Sequence, residues 1–183
     1  MRPVVLTVGK PSASWADAAV ADYAKRLRRW DGLDLEHVKA DRFHGDEARV
    51  KEVEAERLLA RLKPRDRLVA LDERGEALRT EEFTSLIQGC RLDATPRLVF
   101  VLGGAYGHGA AVRDRAWKTL RLSKMVLNHE VARVVLVEQI YRAYAILNGV
   151  RYRDQRALLW TAPRGPQGGR GAGGSRRARA CRR

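Results

Sequence analysis

Short unbroken apolar runs alternate with stretches of helical spacing along most of the chain. Val4-Val5-Leu6-Thr7-Val8 is a β-rich run ending at Gly9, and Leu68-Val69-Ala70-Leu71 and Leu98 to Leu102 repeat that character further on. Leu33 to Val38 alternates apolar and polar residues, as a half-exposed strand does, and Leu120 to Leu127 reads as a last strand. Between these runs the spacing changes to about 3.6 residues. Trp15, Ala19, Tyr23 and Leu27 share one face of a helix that Ser14 is placed to cap, with Asp17 in its first turn. Asp46 to Leu62 is charged and helical, with Val50, Val53, Arg57 and Leu58 near one face. Thr80 is expected to cap a helix through Cys90, with Glu81 and Glu82 at its positive end. Ala110 to Trp117 reads as helical, and a long helix is expected from His129 to Leu147. Strands without alternation, separated by helices, imply a mostly parallel sheet with helices on both faces, an α/β fold. Ligands of such sheets sit beyond the carboxyl ends of the strands. That selects three loops, Asp72–Gly75, Gly103–Gly107 and Leu127–Glu130.

The pattern stops near residue 156. From Ala157 to Arg183 there are seven arginines and no acidic residue, with Gly168-Gly169, Gly173-Gly174 and little that is apolar. Such a segment buries too little surface to offset its ordering entropy. The expected organisation is therefore one domain over residues 1–156 and a basic, disordered tail over 157–183. Of the net charge of +14, half sits on that tail. A polyanion, most simply RNA, is the partner that this charge suggests. Two distant cysteines, Cys90 and Cys181, exclude a disulfide scaffold and a cysteine zinc cluster. No run approaches the roughly 18 apolar residues of a membrane span, and Val4-Val5-Leu6 is too short for a signal core. A cytoplasmic protein without metal or membrane partner is the expectation.

The loop Gly103-Gly104-Ala105-Tyr106-Gly107 follows a buried strand and precedes a helix, where glycines let backbone amides approach a ligand. It lacks the spacing of a dinucleotide fingerprint and the Gly-Lys-Ser/Thr of a P-loop. On the long helix, Val131, Val134, Val135, Glu138, Arg142 and Ala145 fall in one sector. A charged pair within an apolar stripe is either an ordinary i,i+4 bridge or a pair facing a substrate. Arg133 lies on the opposite side, near Val137, Ile140 and Tyr144. The first half of the helix is apolar nearly all round and needs more than one covering surface, which a sheet on one side and a second subunit on the other would supply. His37 and His44 read as surface residues, whereas His108 and His129 follow candidate ligand loops.

The run Leu122 to Ala143, LSKMVLNHEVARVVLVEQIYRA, resembles the signature of the ribosomal RNA large subunit methyltransferase H family. Its members are small SPOUT-class enzymes that methylate N3 of a pseudouridine in helix 69 of bacterial 23S rRNA. Gly103-Gly104 with Gly107, Leu71-Asp72 with Gly75, Val8-Gly9-Lys10 and Tyr23-Arg26-Leu27 fit the same family, so the resemblance spans roughly Val4 to Tyr152.

The resemblance implies a C-terminal trefoil knot, S-adenosylmethionine as cofactor, and a homodimer in which one subunit's C-terminal segment completes the other's site. By position the cofactor residues are Leu71, Asp72, Gly75, Gly103, Gly104, Gly107, Leu122, Ser123, Lys124, Met125, Val126 and Leu127. The acceptor nitrogen must lose a proton, and a guanidinium is suited to the charge left on the flanking oxygens. Arg142 takes that role, oriented by Glu138. Tyr152 and Arg133 help to hold the nucleotide, with His129 and Arg153 also on the substrate side. The chain departs from the family twice. Asn128 stands where the family has proline, and as a good N-cap it preserves the helix start. Arg153 stands where the family has histidine after tyrosine, and arginine cannot accept a proton. Arg153 is expected to bind a phosphate or the anion. The alternatives are the same chemistry on another RNA, a non-catalytic RNA-binding module of this fold, and a nicotinamide dehydrogenase. The last lacks its fingerprint.

Overall fold

A computed structural model describes residues 1–150, all within a compact unit that ends at Tyr152. Five strands, β1 (Arg2–Val8), β2 (Asp34–Val38), β3 (Arg67–Ala77), β4 (Arg97–Leu102) and β5 (Lys118–Arg121), form one sheet in the order β2-β1-β4-β3-β5. Every strand pairing in it is parallel. Helices α1 (Ser14–Leu27), α2 (Glu47–Leu59), α3 (Thr80–Leu92) and α4 (Ala110–Arg115) make the crossovers, and α5 (His129–Leu147) follows the last strand.

The strands' side chains divide between two apolar layers. Val5, Val69, Leu98, Phe100 and Leu120 pack with α1, α3 and α5. Val4, Leu6, Leu68, Ala70, Val99 and Val101 pack with Ala55 and Leu58 of α2 and Val112 of α4 on the other face. Burial on both faces explains why β4 reads as a continuous apolar run. The fold is thus the expected α/β sheet with helices on both faces.

Several boundaries differ from the sequence reading. Ala13 occupies the N-cap of α1, with no side-chain hydrogen bond. Ser14 is the first helical residue. Trp15 points to solvent, and Ala16, Val20 and Leu27 form the buried face. Asp46 does cap α2, accepting from the amides of Ala48 and Arg49. Its buried face is Val50, Glu54, Ala55 and Leu58, not Val53 and Arg57. Thr80 is not the cap of α3. Its hydroxyl donates to Gln139 on α5 at 3.0 Å, and the Glu82 carboxylate takes the Arg79 amide at 2.7 Å.

The two largest differences bear on the site. Strand β3 does not stop at Leu71. Both Leu71 and Glu76 pair with Leu120, so residues 72–75 arch out between two paired segments. Strand β5 ends at Arg121 instead of running to Leu127. The Ser123 hydroxyl accepts from the Met125 amide at 3.0 Å, a local turn that competes with strand pairing. Met125 and Val126 are then left 76% and 82% exposed.

Candidate active site

Beyond the carboxyl ends of β3, β4 and β5 lies a single cleft of about 1120 Å³. Its walls are Leu71 to Arg74, Leu102 to Ala111, Leu120 to Ser123 and Met125 to His129, closed on one side by α2 through Glu47, Lys51 and Glu52. The loops selected from sequence therefore meet in one place. Leu71, Asp72, Gly103, Gly104, Gly107, Leu122, Ser123, Met125, Val126, Leu127 and His129 all line it. Gly75 and Lys124 are not among its lining residues. The α2 wall, with Lys51 at its centre, was not legible from the sequence, because nothing local places that helix beside the glycine loop.

The glycines answer to the protein's own backbone and side chains. Gly107 has φ of +81° and its amide donates to the Gly104 carbonyl at 3.0 Å, closing a tight turn. A Cβ on Gly104 would lie 2.5 Å from Oε2 of Glu54. A Cβ on Gly75 would lie 2.5 Å from the carbonyl carbon of Leu120.

His108 joins two of the loops. It is buried, and its Nε2 lies 3.0 Å from the Leu71 carbonyl oxygen. An Nε2–H tautomer donates there, while Arg113 donates to the His108 carbonyl. Burial holds the imidazole below its ordinary pKa. In the unfolded chain the group takes up a proton near 6.5. Below that pH the unfolded state binds more protons, so this residue's contribution falls as pH falls. A His108→Gln protein is expected to lose less thermal stability than the wild type between pH 7 and pH 5. Parallel unfolding midpoints over that range would refute the assignment.

The pair on α5 is formed but faces elsewhere. Arg142 Nε donates to Glu138 Oε1 at 2.9 Å, and the Gln139 amide donates to Oε2 at 2.7 Å. Gln139 in turn accepts from Thr80. Both carboxylate oxygens are thus occupied. Neither residue lines the cleft. Their helix face also carries Val131, 37% exposed, and half-buried Val134 and Val135.

Arg133 is not at the cleft. It is buried, bonded to Asp17 of α1 and lying 2.9 Å from Glu130. Such a pairing fastens the first turn of α5 to α1 and leaves no guanidinium exposed for a nucleotide. Asn128 caps α5, accepting from the Glu130 amide at 2.8 Å. The positive end of that helix opens at the cleft beside His129. Tyr152, Arg153 and the tail from 157 to 183 lie outside the described residues. Among the described residues, no group of three or more potential ligands could hold a metal, and no helix is long and apolar enough to cross a membrane.

A parallel sheet with a glycine-turn cleft at its carboxyl edge is a common setting for ligand binding, and similarity to known proteins narrows the class. The chain belongs to the family described as "Predicted SPOUT methyltransferase", matching it over residues 1–153. It is a methyltransferase of the SPOUT class. It is also similar to proteins named ribosomal RNA large subunit methyltransferase H. The relative from Geobacter sp. (strain M21) is 41% identical over 155 residues, 85% of this chain and 100% of the relative. That from Laribacter hongkongensis (strain HLHK9) is 42% identical over 157 residues, again 85% and 100%. That from Anaeromyxobacter sp. (strain Fw109-5) is 42% identical over 152 residues, 83% and 99%.

Proposed function

We propose that this protein transfers the methyl group of S-adenosylmethionine to N3 of a pseudouridine in helix 69 of 23S rRNA, on the assembled ribosome in the cytoplasm. It does so as a homodimer, on a sheet whose C-terminal part is threaded as a trefoil knot. The observation that carries this reading is the convergence of the three loops on one cleft in a chain of this family. Small-molecule sites usually enclose about 300–1,000 Å³. A space of about 1120 Å³ suits a methyl donor and an entering base together. When bound, the donor supplies an electrophilic methyl on a sulfonium centre. Leu71, Asp72, Gly103, Gly104, Gly107 and the Leu122 to Leu127 segment would hold it, their backbone amides and carbonyls offering directional partners.

Positioning then supplies much of the acceleration, because displacement at a methyl carbon needs an aligned nucleophile. Loss of the imide proton to solvent water leaves negative charge on two flanking oxygens. Arg142 stabilises that charge through its planar fork. Glu138, held by Gln139, keeps the guanidinium in place. Since the pair lies outside its own cleft, it serves the cleft of a second copy. That copy would also receive the C-terminal segment with Tyr152 and Arg153. The exposed Met125, Val126 and Val131 support a partner on this side. A basic excess of 36 over 22 side chains suits phosphate contacts.

The test is transfer of labelled methyl from S-adenosylmethionine to ribosomes lacking the helix 69 methylation. Label on that pseudouridine is expected. Binding of the donor without label anywhere on the ribosome would overturn the substrate, and no binding by the folded protein would overturn the donor.

A further inference from the structure

Glu54 belongs to the buried stripe of α2, one turn after Val50 and one before Leu58, and is only 4% exposed. Its Oε1 accepts from the Asp41 amide at 3.0 Å. Its Oε2 is shut off from solvent and has no hydrogen-bond partner. That oxygen faces the glycine turn. A Cβ built on Gly104 would have the Glu54 carboxylate as all three of its nearest neighbours, at 2.5, 3.2 and 3.2 Å. Swinging the carboxylate aside would break its bond from the Asp41 amide inside the core. Arg57 bonds to Asp41 at 2.9 Å and to the Lys39 carbonyl at 3.0 Å, clamping the segment that Glu54 also holds. The same segment touches the glycine turn a second time, through Phe43 and Tyr106 with ring centroids 5.6 Å apart. Burial raises the Glu54 carboxyl above its ordinary range, against the lowering pull of the Asp41 amide hydrogen bond and of Arg57, with a smaller upward push from the Asp41 charge.

We propose that Glu54 is a positioning residue for the glycine loop: its carboxyl demands glycine at 104 and sets the shape of the Gly104–Gly107 turn that receives the methyl donor. The second half of that statement rests on the S-adenosylmethionine reading above. A glycine is commonly explained by the close approach of a ligand. Here the approach comes from inside the protein.

A double-mutant cycle separates the two explanations. Wild type, Gly104→Ala, Glu54→Ala and the double variant are compared by calorimetric binding of S-adenosylmethionine and by thermal unfolding. Gly104→Ala is expected to weaken binding about tenfold or more in the wild-type background and about twofold or less once Glu54 is alanine, a coupling of the size found for residues in contact. Equal penalties in both backgrounds would overturn the proposal. Should Gly104→Ala alone fail to fold, recovery of a folded double variant supports the proposal, and failure to recover overturns it. Should the wild type not bind the donor, the functional reading falls. The unfolding cycle then still decides, with coupling supporting the demand of Glu54 for glycine and additivity refuting it. Glu54→Gln keeps the volume and the acceptor for Asp41, so it is expected to bind like the wild type. A loss as large as that of Glu54→Ala would refute the positioning role.

Discussion

Replacing Arg142 with alanine is expected to lower methyl transfer by about a hundred- to a thousandfold, the range found for removing one donor to a developing anion. A thousandfold loss corresponds to about 4 kcal/mol of transition-state stabilisation. The loss belongs in kcat, because Arg142 meets a charge that develops only as the imide proton leaves. The Kd for S-adenosylmethionine is expected to stay near the wild-type value. Folding should change little. The Arg142 side chain is 13% exposed and that of Glu138 16%. Glu138 would keep its bond from Gln139 and could hydrate the freed oxygen. Arg142→Lys keeps the charge but loses the planar fork, so an intermediate loss is expected. Single-turnover methylation with each variant checks the series. Full turnover by Arg142→Ala would remove this residue from the reaction.

What the sequence made legible was what local pattern controls. The His129 to Leu147 helix has the boundaries that its capping asparagine and apolar spacing dictate. The apolar runs of β1 and β4 have no other stable home than a sheet covered on both faces. The three loops followed from the parallel topology, since the ends of parallel strands gather on one edge. What escaped was decided either by residues distant in the chain or by local hydrogen bonding that overrides the apolar pattern. Leu120 to Leu127 is apolar enough for a strand, but a hydroxyl at Ser123 turns it and exposes Met125 and Val126. Arg133 looked available because its partner Asp17 is 116 residues away. Glu54 was hidden by a wheel drawn through Val53 and Arg57. The signal was present, since Val50, Glu54 and Leu58 recur at i, i+4 and i+8, and an acid in such a stripe asks for a buried partner. Gly103, Gly104 and Gly107 line the cleft, but the need for glycine at 104 and 75 is not local. Gly104 yields to Glu54 and Gly75 to Leu120.

Gly75→Ala is the substitution expected to cost the fold most. A Cβ there would lie 2.5 Å from the Leu120 carbonyl carbon and 2.7 Å from both its Cα and its amide nitrogen. Those neighbours are backbone, so no rotamer change relieves the overlap. Backbone relief is also blocked, because Leu120 is paired to Leu71 on one side of the arch and to Glu76 on the other. The alternatives are to spread the arch or to push β5 from the sheet edge. Overpacking a fitted site costs about 1–3 kcal/mol, and more where the backbone must move. A loss of about 3 kcal/mol or more is therefore expected, with the unfolding midpoint falling by roughly 6–12 °C in a chain of this size. Gly89→Ala is the control of opposite sign. It lies within α3 with nothing within 4 Å of its Cβ position, so a gain of roughly 0.5–1 kcal/mol is expected there. Gly75→Ala should also impair donor binding, since β5 leads directly into the Leu122 to Leu127 wall. The order of effects separates the causes. If Gly75 served ligand approach, the unliganded protein would keep its wild-type midpoint and lose only binding. A midpoint lowered without any ligand places the demand for glycine in the crossing of the two strands.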